Sequence, residues 1–261
     1  SRTNQPAIHL FKIFAMNILK PKDPKNVCSA PVQKFALDHI ATYFEVYGLK
    51  GIEDMKENLY TALFDKCYSK FWVLEHQALL NLAKLTELMG QDFLVYASET
   101  FELLFDLQDH KLDGKEDDGS SLLREVLLVV WGRVLQVLYK HYDKPEEEVF
   151  IKDHTMIWVR SLPIKYDQIE SSKQHKFYCG LLQSYPKLLW STTPSENSTL
   201  LQPLVAVYRT AYSDKETDQE IIELFKGVKQ SGQLLPILSQ LENTLPTEDK
   251  DRLKAILSEI N

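Results

Sequence analysis

Apolar residues recur every three to four positions over nearly the whole of this chain, and no alternating stretch of the kind a strand needs separates one such run from the next. The run Phe71, Leu74, Ala78, Leu82, Leu85 and Met89 is the clearest. Its spacing lays one apolar stripe along a helix, and Gly90 closes it. Comparable stripes, joined by short polar breaks, predict a succession of helical hairpins.

The first helix is expected over Ala7 to Leu19, stopped by Pro21 and Pro24. Ser29 and Pro31 suit the N-cap and first turn of a second helix, with Val32, Phe35, Ala36, Ile40 and Tyr43 on one face and an end near Gly48. Ile52, Met55, Leu59, Leu63 and Cys67 continue at helical spacing, and a segment from Asp92 to Leu107 follows the Phe71–Met89 stripe. The stretch His110 to Gly119 combines two glycines with clustered acidic charge, and residues 109–120 read as a flexible acidic loop. Leu122 to Tyr142 is a further helix. It is apolar on nearly all sides over Val126 to Trp131, as the inner member of a stack would be.

After Lys144-Pro145 and the acidic run Glu146–Glu148, shorter helices are expected at Phe150–Leu162, Tyr166–Tyr185, Leu200–Tyr212, Thr217–Lys229, Leu234–Leu241 and Asp249–Ile260. Ser191 to Glu196 reads as a loop. The hairpin spacing of roughly 40 residues matches HEAT or armadillo repeats, which keep their shape without a sharp sequence period. The predicted fold is all-α: an α-α superhelix, a solenoid of antiparallel helix hairpins, spanning 1–261 as one domain.

Composition changes this picture little. A formal charge of -7 argues against a nucleic-acid-binding face over most of the surface and suits basic partners. The most apolar run, Val126 to Leu138, is too short and too charged to span a bilayer. Three widely spaced cysteines, Cys28, Cys67 and Cys179, read as small buried hydrophobes in a reducing compartment rather than a disulfide framework. No signal peptide opens the chain, which reads as a fragment of a larger protein ending at its natural terminus, Asn261.

Candidate chemistry is sparse. The seven histidines stand at no metal-ligand spacing, and His39 and His76 read as helix-face residues. No phosphate-binding loop, nucleophile elbow or dinucleotide fingerprint is present, so catalytic residues, cofactor and metal are all expected to be absent. Asn197-Ser198-Thr199 is a formal glycosylation sequon that reads as an ordinary loop, with Ser198 or Thr199 capping the next helix. The candidate partner-binding residues are acidic: Asp113, Glu116, Asp117 and Asp118 in one cluster, and Glu146, Glu147 and Glu148 in another. Trp190, between Pro186 and Pro194, is the aromatic least explained by a helix stripe; it reads as packing on a helix end, with an exposed anchor as the alternative.

The last third of the chain resembles the C-terminal end of importin-beta-type nuclear transport receptors. The residues that carry the resemblance are Trp158-Val159-Arg160-Ser161-Leu162-Pro163, then Asp167 and Glu170, Phe177-Tyr178-Cys179, and the Ser184-Tyr185-Pro186 break. Val228-Lys229-Gln230-Ser231-Gly232 with Leu238 to Leu241, and Leu245-Pro246 with Asp249 to Leu257, are similar to the closing elements of the branch that carries ribosomal proteins and histones. The resemblance implies HEAT repeats that wrap basic cargo, some docking of nucleoporin FG motifs, Ran binding by repeats upstream of this segment, and residence in cytoplasm and nucleus. Val32 to Leu37 and Trp72 to Leu79 loosely resemble an armadillo-type regulator of homologous recombination, which implies the same architecture and a dedicated protein partner instead. Neither resemblance implies direct nucleic-acid or membrane contact.

Overall fold

The computed structural model describes residues 5–13, 15, 19, 28–111, 118–141, 147–165 and 167–260. Every regular element among them is helical. The chain divides into two compact units, 1–141 and 142–261. The division falls between His141 and Tyr142, just ahead of the Lys144–Pro145 punctuation in the sequence.

The first unit contains α1 (Gln5–Ile13), α2 (Ala30–Tyr47), α3 (Lys56–Cys67), α4 (Trp72–Met89), α5 (Ala97–Lys111) and α6 (Asp118–His141). Short 3-10 turns, Glu53–Met55 and Gly90–Tyr96, lead into α3 and α5. Gly48 and Gly90 close α2 and α4 with φ of 60° and 54°, backbone angles at which a side chain would be strained. Of the expected acidic loop at 109–120, residues 109–111 belong to α5 and 118–120 to α6, and 112–117 lie outside the described residues.

Two expected faces need correction. In α2 the buried stripe is Gln33, Ala36, Leu37, Ile40, Tyr43 and Phe44, whereas Val32 and Phe35 are exposed. Both clusters obey helical spacing; only packing against α4 decides which one is covered. Phe71 sits outside α4 at its N-cap and is half exposed, so the buried stripe begins at Leu74. The all-apolar run Val126 to Trp131 is buried throughout. α6 packs on both α4 and α5, and the Trp131 ring lies 5.3 Å from Phe101 and 4.9 Å from Phe105.

The second unit contains α7 (Glu148–Ser161), α8 (Gln168–Ser184), α9 (Pro186–Leu189), α10 (Pro194–Val207), α11 (Lys215–Gln230), α12 (Leu234–Thr244) and α13 (Thr247–Glu259). Its centre is Trp158, fully buried, with the rings of Phe177 and Tyr178 each 5.9 Å away. Tyr178 donates its hydroxyl to the Leu200 carbonyl at 2.8 Å and so ties α8 to α10. α10 starts earlier than the sequence suggests, since Pro194 takes the first helical position and Glu196 the first turn. It also ends earlier: Tyr208 leaves the helix, and Arg209 takes a φ of 53° with its N–H held by Asp218 Oδ1 at 3.0 Å. The start of α10 absorbs the sequon. Asn197 is buried inside the helix, bonded in both directions to the Ser191 backbone at 2.8 and 2.9 Å, and Ser198 and Thr199 donate to the Ser195 carbonyl instead of capping.

One regularity runs through both units. Among the described residues, nine side-chain hydrogen bonds join residues 36 to 45 apart in sequence. Tyr60 meets Thr100 and Tyr68 meets Asp106, so α3 and α5 run parallel in register. α2 and α4 do the same: Asn81 donates to the Leu37 carbonyl at 2.8 Å, and a Cβ on Gly48 would lie 3.6 Å from Leu88. In the second unit Ser172 meets Thr217, and Leu182 and Leu224 line one cavity further along, which sets α8 parallel to α11. Parallel alternate helices at this spacing are what successive hairpins of about 40 residues produce when they stack side by side.

Candidate functional site

The described surface of the second unit carries a groove of about 540 Å³ between the C-terminal halves of α8 and α11. The size is that of a site for a small molecule or a few side chains of a peptide. The α8 wall is Leu182 and Gln183, continued through the Tyr185 turn by Pro186, Lys187 and Trp190; the α11 wall is Glu223, Leu224, Gly227, Val228 and Ser231, with Gln233 beyond. The sequence dictates this shape. Pro186 cannot extend α8, so the chain turns at Tyr185 into the single turn of α9, and Trp190 is brought back over the helix end.

Trp190 donates its indole N–H to the Leu182 carbonyl at 3.0 Å, satisfying one of the carbonyls left open in the last turn of α8. The reading of Trp190 as a residue packed on a helix end therefore holds. The same bond fixes the ring as a half-buried wall of the groove.

On the facing helix, Gly227 is exposed, and a Cβ built on it would meet no atom within 4 Å. A glycine within a helix costs about 1 kcal/mol relative to alanine, and no tight packing here requires it. Its effect is to leave the groove open. Glu223 accepts from Lys226 at 3.0 Å and from Gln219 at 2.7 Å, both on α11. Lys187 is exposed and forms no ion pair among the described residues. The turn after α11 is closed by Gly232 at φ 75°, while Ser231 donates its hydroxyl to the Val228 carbonyl at 2.8 Å.

The acidic candidates are placed otherwise. Asp113, Glu116, Asp117 and Glu146 lie outside the described residues, and Asp118 is the first residue of α6. Glu147 is the N-cap residue of α7 and Glu148 occupies its first turn, where negative charge complements the helix dipole. Neither belongs to the groove, which of the candidates takes in Trp190 alone. Lys187, Glu223 and Gly227 were not singled out by sequence, although an isolated glycine inside a strong helix pattern is a readable signal.

Elsewhere, the titratable groups are set by packing. Burial pushes the Cys179 thiol up, away from thiolate chemistry. His76, half-buried with its ring edge-on to Trp72 at 6.5 Å, has its pKa lowered by burial. His175 is fully buried and is pushed down to about 4 by the same cause. Among the described residues no group of His, Cys, Asp or Glu is arranged to hold a metal ion, and no helix is long and apolar enough to cross a membrane. No family model, no curated protein and no solved structure matches the chain.

Proposed function

We propose that this chain is a protein-recognition segment built of HEAT-like helical hairpins, belonging to a nuclear transport receptor of the importin-beta type that carries basic cargo between cytoplasm and nucleus. The observation that carries the reading is the 36-to-45-residue register that relates alternate, parallel helices within each unit. Stacked hairpins of this kind present long faces and recurrent inter-helix grooves, and proteins use them to grip other macromolecules. The α8–α11 groove is one such feature, apolar along Leu182, Trp190, Leu224 and Val228. The formal charge of -7 supplies the complement that a basic partner requires. The resemblance of Trp158 to Pro163 and of Val228 to Gly232 to the receptor family points the same way.

The test is binding of the purified chain to purified core histones and to a nucleoporin FG-repeat peptide, at low and at physiological salt. The reading expects histone binding that weakens as salt rises, together with weaker binding of the FG peptide. Absence of both interactions at low salt would refute it.

A further inference from the structure

We infer that the face shared by α3 and α5 docks an arginine-rich segment of a partner protein. This rests on reading the chain as a recognition segment for basic proteins, and it names where one is held. Three observations define the occupant.

The first is charge without a counterpart. Glu99, Glu102, Asp106 and Asp109 follow one another along α5 at intervals of three, four and three residues, so they share one helical face, and all four are exposed. None forms an ion pair among the described residues. Like charges at these intervals repel one another, and a cationic partner relieves the repulsion. No basic residue stands between Ala97 and Asp109. On α3, Lys56 pairs with Asp92, and Lys66 is two residues from both Phe64 and Tyr68, which sets it on the far side of the helix.

The second is a ladder of rings. Tyr96, Tyr60, Phe64 and Tyr68 follow one another with centroids 4.2, 5.6 and 5.8 Å apart. Tyr68 is half exposed, Phe64 and Tyr96 are partly exposed, and Tyr60 is buried. Ring faces attract cations, and a planar guanidinium also stacks on them.

The third joins the other two. Tyr60 donates its hydroxyl to Glu99 Oε2 at 3.1 Å, and Tyr68 donates to Asp106 Oδ2 at 3.2 Å. Two of the four carboxylates are thus held at the rims of rings, each with its second oxygen left to accept. Burial raises the pKa of Tyr68 and Tyr96, and the nearby carboxylates add to it: Asp106 and Glu99 at Tyr68, Glu57 and Glu99 at Tyr96. A guanidinium on this surface pairs with a carboxylate through its N–H fork while its plane covers a neighbouring ring. An ammonium has neither plane nor fork and makes the combination less well.

The experiment uses the whole chain and four end-capped peptides of the form X-Gly-X-Gly-X-Gly-X, in which X is Arg, Lys, Gln or Glu. Alternation puts the four side chains on one side of an extended chain. Binding is measured by calorimetry at low salt. The Arg peptide is expected to bind about two- to fivefold more tightly than the Lys peptide, the range an exposed cation–π contact supplies. The Gln peptide should bind about tenfold more weakly than the Arg peptide. Glu102→Lys combined with Asp109→Lys should move the preference to the Glu peptide, and a gain of binding cannot arise from misfolding. Asp153→Lys combined with Glu242→Lys makes the same change of net charge at exposed positions of the second unit, and should leave the Arg peptide preferred. Tyr68→Leu should bring the Arg and Lys peptides to equal affinity.

Equal binding of the Arg and Gln peptides overturns the proposal. So does a preference that the α5 exchange leaves in place or that the control exchange moves as far, and so does an Arg-over-Lys preference untouched by Tyr68→Leu. Histone binding is measured separately. If it is unaffected by the α5 exchange, the docking face is refuted and the transport reading stands. Peptide preferences as expected without histone binding uphold the face and count against the transport reading alone.

Discussion

Acidification should destabilise the second unit through His175, and the size of the effect follows from its surroundings. Its Nδ1 lies 3.1 Å from Ser171 Oγ, whose single proton is directed to the carbonyls of Ile164 and Tyr212, each 2.8 Å away. The serine oxygen must therefore accept from Nδ1–H, and the neutral ring is bare at Nε2. That nitrogen is buried without a hydrogen-bond partner, so a second proton there would place an unsatisfied charge in the interior. Burial lowers the folded pKa from 6.5 to about 4. Between those values the unfolded chain binds a proton that the folded one refuses. Stability from this group is thus full above the unfolded pKa and declines as pH falls through the window, by about 2 kcal/mol at pH 5 and about 3 kcal/mol at pH 4.

The assay is urea unfolding of the chain and of His175→Gln, followed by circular dichroism from about pH 7.5 to about pH 5. Glutamine keeps a donor and an acceptor but does not titrate. The variant is expected to be less stable at neutral pH and to lack the His175 share of the acid loss, so the difference between the two proteins should shrink by about 2 kcal/mol as pH falls. Other histidines and carboxylates contribute equally to both proteins and cancel. A difference that stays constant across the range would refute the assignment.

Three further outcomes follow from particular contacts. Gly227→Ala should raise stability by up to about 1 kcal/mol, read as a higher melting temperature, because the site is helical, exposed and free of clashes. Asn197→Ala should cost about 1–3 kcal/mol in urea unfolding, since it strips both backbone groups of Ser191 of their partner; for the same reason Asn197 in the folded chain should take no glycan. Asp214→Ala should cost about 1 kcal/mol of unfolding free energy by removing the N-cap of α11, whose carboxylate accepts from Thr217 N at 2.7 Å.

Helix existence was legible in α4 and in α11, where one face carries the burial, and so was the complete burial of Val126 to Trp131. Choice between faces was not. Val32 and Phe35 obey the same spacing as Ala36 and Ile40, and only the parallel approach of α4 covers one set and leaves the other in solvent. The start of α10 was hidden because Pro194-Ser195-Glu196-Asn197 has loop composition; burial of Asn197 depends on the backbone of Ser191, which pattern does not specify. The groove was legible only in part. Trp190 stood out for lacking a stripe, but its partners across the groove are about 40 residues away and become neighbours only through the register of α8 with α11. That register is itself a consequence of hairpin length, which sequence suggested without fixing any pair.

The central claim is that this chain recognises basic proteins through stacked helical hairpins. Hydrogen exchange by mass spectrometry, with and without purified core histones at low and physiological salt, addresses it most directly. The account predicts protection at low salt that falls on exposed helical faces, with carboxylate-bearing segments among them, and that fades as salt rises. An exchange pattern unchanged by histones at low salt would contradict it.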